Sequence, residues 1–188
     1  SPPAAARRER GSERASGAAM IWKRLLVPHD FSACAARALR LAIDLAKAQG
    51  SEVILLHVSD LPSNLEPETK ISPDGEGQSL AVGDYATRGG RQRLEALAAP
   101  LRAAGHRVES VAVVGEIDEK ILESARELRA DAIVIGTHGR EGLSHLLLGS
   151  VAEKIVRRSP IPVVTVRTTA PEAELTAEEQ AAEDELAG

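Results

Sequence analysis

Five short apolar runs punctuate the chain: residues 24–28 (RLLVP), 53–58 (VILLHV), 108–114 (VESVAVV), 132–136 (AIVIG) and 161–166 (IPVVTV). Four of them are rich in β-branched residues, so each is predicted to be a strand. The second run is apolar at nearly every position and does not alternate. That is the pattern of a strand covered on both faces, as in a parallel sheet flanked by helices. The third run contains Glu109 and Ser110, alternates more, and is expected at a sheet edge.

Helical periodicity fills the intervals. Residues 32–49 place Ala35, Leu39, Ala42, Ile43 and Ala46 on one face, with Ser32 as N-cap and Gly50 as terminator. Residues 85–104 predict a second helix ending at Gly105, interrupted by Gly89 and Gly90 and kinked at Pro100. Residues 117–129 carry Ile117, Ile121, Leu122, Ala125 and Leu128 on one face, and residues 150–158 form a last helix stopped by Ser159-Pro160. Strand and helix alternate throughout, which predicts a single α/β domain with a parallel sheet and right-handed crossovers. Residues 59–83 break the alternation with Pro62, Pro67, Pro73, Gly75, Gly77 and Gly83, and are expected to form a long, partly ordered loop.

Composition narrows the chemistry. Hydrophobic residues make up 43% of the 188, but Trp22, Phe31 and Tyr85 are the only aromatics. The core must be aliphatic, and stacking platforms for single-stranded nucleic acid are lacking. A lone cysteine, Cys34, excludes an internal disulfide framework and a cysteine-based zinc site. No apolar run approaches the roughly 20 residues that span a bilayer. Residues 1–19 have no apolar segment of the secretory type, and are expected to be a disordered leader to a cytoplasmic domain.

The net charge of −5 sits at the ends. Four arginines against two glutamates lie in residues 1–19, and seven acids without a base lie in 171–188. The body between them is neutral, so no broad basic face is available to a nucleic-acid backbone. Residues 169–188 are expected to be a solvated acidic tail.

The stretch 132–158, AIVIGTHGREGLSHLLLGSVAEKIVRR, carries the chemistry. A buried strand ends at Ile135 and Gly136. Two residues separate it from Gly139, and nine more separate Gly139 from Gly149-Ser150 and a helix. Ser150 and Glu153 have capping-box spacing. Unpaired N–H groups at Ser150, Val151 and Ala152 would form an anion site at the positive end of that helix. Gly136, Gly139 and Gly149 would let phosphate approach the backbone. The first strand ends in Pro28-His29-Asp30-Phe31-Ser32. With strand order 3-2-1-4-5, Asp30 would face these glycines at the carboxyl ends of adjacent strands, where open α/β sheets bind ligands. Val58 and Ile135 would supply apolar walls for a base. No GxxxxGK[ST] loop exists and no GxGxxG follows the first strand, so P-loop and dinucleotide readings fall away.

Gly136-x2-Gly139-x9-Gly149-Ser150, Pro28-x-Asp30, VILLHV at 53–58 and LLLGSVAEKIV at 146–156 resemble the universal stress protein family in its nucleotide-binding branch. The resemblance spans about residues 22–167. It implies a five-stranded parallel α/β fold of order 3-2-1-4-5 with helices on both faces, and ATP bound with Mg²⁺ or Mn²⁺. It also implies a homodimer through antiparallel pairing of strand 161–166. Pro28, His29 and Asp30 would meet the adenosine part, Val58 the adenine through its backbone, and Ile135 and Gly136 the base and ribose. Gly139, Arg140, Gly149, Ser150 and Val151 would meet the phosphates. No catalytic base is assigned, so the resemblance implies a stress-response switch with slow or no hydrolysis. Two alternatives remain at this point: a weak ATPase or phosphotransfer enzyme using His138 or Asp30, and a dimeric docking module that binds no nucleotide.

Overall fold

A computed structural model describes residues 22–61, 65–72, 79–137 and 149–167. The expected leader (1–19) and acidic tail (169–188) lie outside the described residues.

Strand β1 (Arg24–Pro28) leads into helix α1 (Ala33–Gln49) and strand β2 (Glu52–Ser59). Two short strands follow, β3 (Lys70–Ile71) and β4 (Leu80–Ala81), then helix α2 (Val82–Ala103) and strand β5 (Val108–Val114). Helix α3 (Ile117–Glu127), strand β6 (Ala132–Gly136), helix α4 (Ser150–Arg158) and strand β7 (Val163–Val166) complete the fold. The main sheet is parallel throughout, with order β5-β2-β1-β6-β7. Counting only its five strands, that is the expected 3-2-1-4-5, with the 108–114 strand at the edge as its alternation requires.

Several boundaries differ from the sequence reading, two of them for a clear local reason. The last strand begins at Val163, because Pro160 and Pro162 cannot donate to a ladder and Ser159 instead closes a turn with Ile161. Helix α2 begins at Val82, where Val82 N–H and Gly83 N–H donate to Thr69 and Pro67 carbonyls. The 59–83 segment is therefore not wholly irregular: β3 and β4 pair antiparallel and lead straight into α2. Pro100 lies inside α2 and the helix continues to Ala103.

Helix α1 is capped as its sequence predicts. Ser32 Oγ accepts from Ala35 N–H at 3.2 Å, and Gly50 ends the helix in the left-handed region at φ 70°. Strand alternation then builds two aliphatic cores. Leu25, Val27, Val53, Leu55 and Val134 pack under α1 and α2; Leu26, Ile54, Leu56, Ile133 and Ile135 pack under α3 and α4. Each fully buried Leu or Ile contributes roughly 1.5–3 kcal/mol. At the amino end of the sheet Arg24 donates to the Leu128 carbonyl and pairs with Glu52 and Glu109. The Asp131 carboxylate accepts from the Lys23 and Arg24 N–H groups.

The two helices of the second face are latched by a buried acid. Asp118, 4% exposed, receives Lys154 Nζ at 2.9 Å and Arg158 Nη1 at 2.6 Å from α4. The hydrogen bond from Lys154, helped by both positive charges, outweighs burial and holds the carboxyl below its usual range. A carboxyl lowered on folding adds stability above its unfolded pKa of about 3.9, and loses it as pH falls through the folded value. Asp118→Asn should therefore melt lower than wild type at neutral pH and lose less of its melting temperature on acidification below about pH 4. Parallel melting curves against pH would count against the latch.

Candidate functional site

The site is assembled where β1 and β6 lie side by side. Leu26 pairs with Ile133, so the two strands run side by side toward their ends at Pro28 and Gly136. On the other side Pro28 pairs with Leu56, and His29 N–H donates to the Leu56 carbonyl at 2.8 Å. Beyond β1 the chain turns sharply. Asp30 Oδ1 accepts from Ser32 N–H at 3.0 Å and from Ser32 Oγ at 2.6 Å, which steadies the cap of α1. Asp30 is half-buried and its second oxygen has no recorded partner among the described residues. Asp30 thus supports the helix start with one oxygen, Oδ1.

The end of β6 fixes α4. Thr137, 2% exposed, donates its N–H to the Val166 carbonyl at 2.9 Å and accepts from Gly149 N–H at 2.7 Å. That second bond ties the start of α4 to the carboxyl end of the sheet. Gly149 is the N-cap, with φ −59° and ψ 150°, and Ser150 is the first helical residue. The capping box read from Ser150 and Glu153 is therefore one residue out of place. Glu153 N–H makes the first helical bond, to Gly149 O, and no side chain caps the helix. The N–H groups of Ser150, Val151 and Ala152 have no recorded acceptor among the described residues, and the positive helix end stands behind them.

Ile135 belongs to the core on the α3–α4 face, and Val58 and Val151 pack against that core, which gives this end of the sheet an apolar wall. Pro28, Asp30, Val58, Ile135, Gly149, Ser150 and Val151 are thus gathered at one end of the sheet. Gly139, Arg140 and His138 lie outside the described residues. Gly136 has a packing role that spacing does not reveal. A Cβ there would lie 2.9 Å from both the carbonyl carbon and the Sγ of Cys34. Cys34 is buried and its thiol donates to the Val166 carbonyl at 3.3 Å, so it serves as a small packed residue.

His29 contributes its backbone here but not its ring. Following the alternation of Leu25 and Val27, the imidazole lies on the α1–α2 side, 4% exposed, 5.3 Å from the Phe31 ring. Its Nδ1 accepts from Phe31 N–H, which puts the proton of the neutral ring on Nε2, a buried donor without a partner among the described residues. Burial lowers its pKa to about 4; Asp30 opposes this, while His57 and Arg93 reinforce it. His29 is therefore neutral at physiological pH. Among the described residues no group of three or more His, Cys, Asp or Glu is arranged to hold a metal ion.

The sequence reading missed Thr137, whose buried backbone joins β6, β7 and α4. It also missed Phe31, which adopts φ 65° between Asp30 and Ser32. The alternation of β1 was a usable signal for the side on which His29 lies.

Residues 22–167 match the model of the Universal stress protein family. The chain belongs to the universal stress protein family. Universal stress protein MJ0577 of Methanocaldococcus jannaschii is 30% identical over 156 residues, covering 79% of this chain and 96% of that one. Universal stress protein YxiE of Bacillus subtilis is 31% identical over 148 residues, covering 78% and 100%. The solved structure of MJ0577 aligns with a TM-score of 0.64 at 27% identity, covering 80% and 99%. A universal stress protein solved in complex with cAMP aligns with a TM-score of 0.56 at 25% identity, covering 79% and 99%.

Proposed function

We propose that this universal stress protein binds an adenine nucleotide, ATP, at the carboxyl ends of β1 and β6 and acts as a nucleotide-dependent switch. The observation that carries the reading is the uncapped start of α4. Three backbone donors and a positive helix end are tied by the Thr137–Gly149 bond to the same end of the sheet as a half-buried carboxylate and an apolar wall. The charges match: donors for phosphate, the second Asp30 oxygen for ribose hydroxyls, and Pro28, Val58 and Ile135 for the base. The cAMP complex of a related universal stress protein supports the adenine class.

In this reading the phosphates rest on Gly139, Arg140, Gly149, Ser150 and Val151. A hard divalent cation fits as a passenger on the nucleotide. The described residues offer it no cage of acids, so Mg²⁺ or Mn²⁺ would be held by phosphate oxygens, with Ser150 Oγ as the neighbouring protein oxygen. The ion would neutralise phosphate charge that a neutral protein body does not. No residue is assigned to orient an attacking water, so binding is the output and turnover is slow. We also propose a homodimer through β7, an edge strand of the sheet, in the cytoplasm. No helix among the described residues is long and apolar enough to cross a membrane.

Calorimetry of the full chain with ATP should give a one-site isotherm that tightens with Mg²⁺. Mass analysis of freshly purified protein should recover an adenine nucleotide. Absence of binding of ATP, ADP and AMP would remove the reading and leave a docking module.

A further inference from the structure

Helix α2 reaches across the α1–α2 face and holds the turn that carries Asp30. Phe31 lies in the middle of that turn with φ 65°, a region that residues with side chains avoid unless their surroundings enforce it. Its ring is enclosed on several sides. His29 stands edge-on at 5.3 Å, His57 lies 4.7 Å away at 47°, and the Arg93 guanidinium sits 3.6 Å from the ring centroid. Helix α2 comes this close because of Gly90: a Cβ there would be 2.6 Å from His57 Cδ2. Gly90 and Arg93 are three residues apart and share one face of the helix. His57 is itself fixed, its Nδ1 donating to the His29 carbonyl at 2.8 Å. Phe31 is flanked by the two residues whose hydrogen bonds close the turn, Asp30 and Ser32. The ring cannot leave its place without that turn rearranging.

Phe31 packs against the core on the face opposite that of Val58, Ile135 and Val151, and the Arg93 guanidinium lies over its ring. We infer that Phe31 and Arg93 are positioning residues through which α2 fixes the Asp30 turn and so sets affinity for the nucleoside part of the ligand. The inference rests on the nucleotide reading proposed above. A guanidinium over an aromatic face is attractive through the ring quadrupole, and its planar stacking is not reproduced by an ammonium.

Arg93 is exposed, so its variants should fold. The test uses the full chain with adenosine, which has no phosphate, and with ATP. Amide hydrogen exchange at Ser32 is followed in the nucleotide-free protein. Arg93→Ala should lower both affinities by the same factor, roughly three- to tenfold, and speed exchange at Ser32. Arg93→Lys should lie nearer to Ala than to wild type, and Arg93→Ala should add nothing to Phe31→Leu. Loss for ATP but not adenosine, with rescue by Lys, would make Arg93 a charge acting on phosphate and overturn the inference. Faster exchange with unchanged adenosine affinity would reduce the stack to a structural contact and overturn it too. Unchanged exchange and unchanged affinity would sink the clamp while leaving the nucleotide reading standing. Wild-type protein that binds neither ligand would sink the nucleotide reading and the positioning role with it.

Discussion

Gly149→Val is expected to lower ATP affinity more than a hundredfold, about 2.7 kcal/mol, while the nucleotide-free protein stays folded. The backbone at Gly149 has φ −59° and ψ 150°, which valine adopts without strain. Its N–H bond to Thr137 involves no side chain and survives the change. The cost to the fold is the poorer N-cap, about 0.5–1 kcal/mol. The cost to binding is larger because two methyl groups would stand beside the N–H groups of Ser150 and Val151, where phosphate oxygens must come. Gly149→Ser separates the two effects. Serine is a better N-cap because its hydroxyl accepts from the second or third helical N–H, here Val151 or Ala152. Those are the donors assigned to phosphate. The serine variant should therefore melt higher than wild type yet bind ATP more weakly. Titration calorimetry and thermal melting on the same samples decide it; unchanged affinity in the valine variant would refute the cradle.

That trade explains why the sequence read well at some positions and badly at others. The strands were legible because their side chains answer to one variable, burial on both faces, and VILLHV and AIVIG carry it without interruption. The start of α4 at Ser150 was legible, though from a capping-box spacing that the fold does not use. Its cap was not, because a hydrogen bond from Gly149 to Thr137, twelve positions away, sets the N-cap and overrides the local Ser150–Glu153 pattern. The pairing of β3 with β4 was hidden for a similar reason. Pro67 reads as a loop signal, yet its carbonyl accepts from Gly83 and anchors the first turn of α2. The clamp on Phe31 was invisible, since nothing in a linear sequence brings residue 93 to residue 31. Candidate site residues on β1, β2, β6 and α4 were legible by their place at strand ends, which topology alone gathers.

Gly136→Ala is expected to destabilise the nucleotide-free protein by about 1–3 kcal/mol, the ordinary cost of overfilling a packed site. Spacing alone makes Gly136 the first glycine of a phosphate loop, and on that view alanine would harm binding only. The packing argues otherwise. An added Cβ would lie 2.9 Å from the Cys34 carbonyl carbon and Sγ and 3.0 Å from its carbonyl oxygen. Two of those three atoms are backbone and cannot rotate away. They belong to the first turn of α1, which is pinned by the Ser32 cap and by the Cys34 thiol on the Val166 carbonyl. To admit a methyl group, α1 must shift off β6 and take the cap and the Asp30 turn with it. Urea unfolding without ligand should show the loss as a lower midpoint with an unchanged slope. Cys34→Ala in the same chain should restore only part of it, because removing Sγ leaves both backbone contacts. Full rescue would mean that sulfur alone was in the way, and an alanine variant as stable as wild type would return Gly136 to the ligand. With partial rescue, the two glycines of one motif divide their work: Gly136 lets α1 lie against β6, and Gly149 leaves the donors of α4 open.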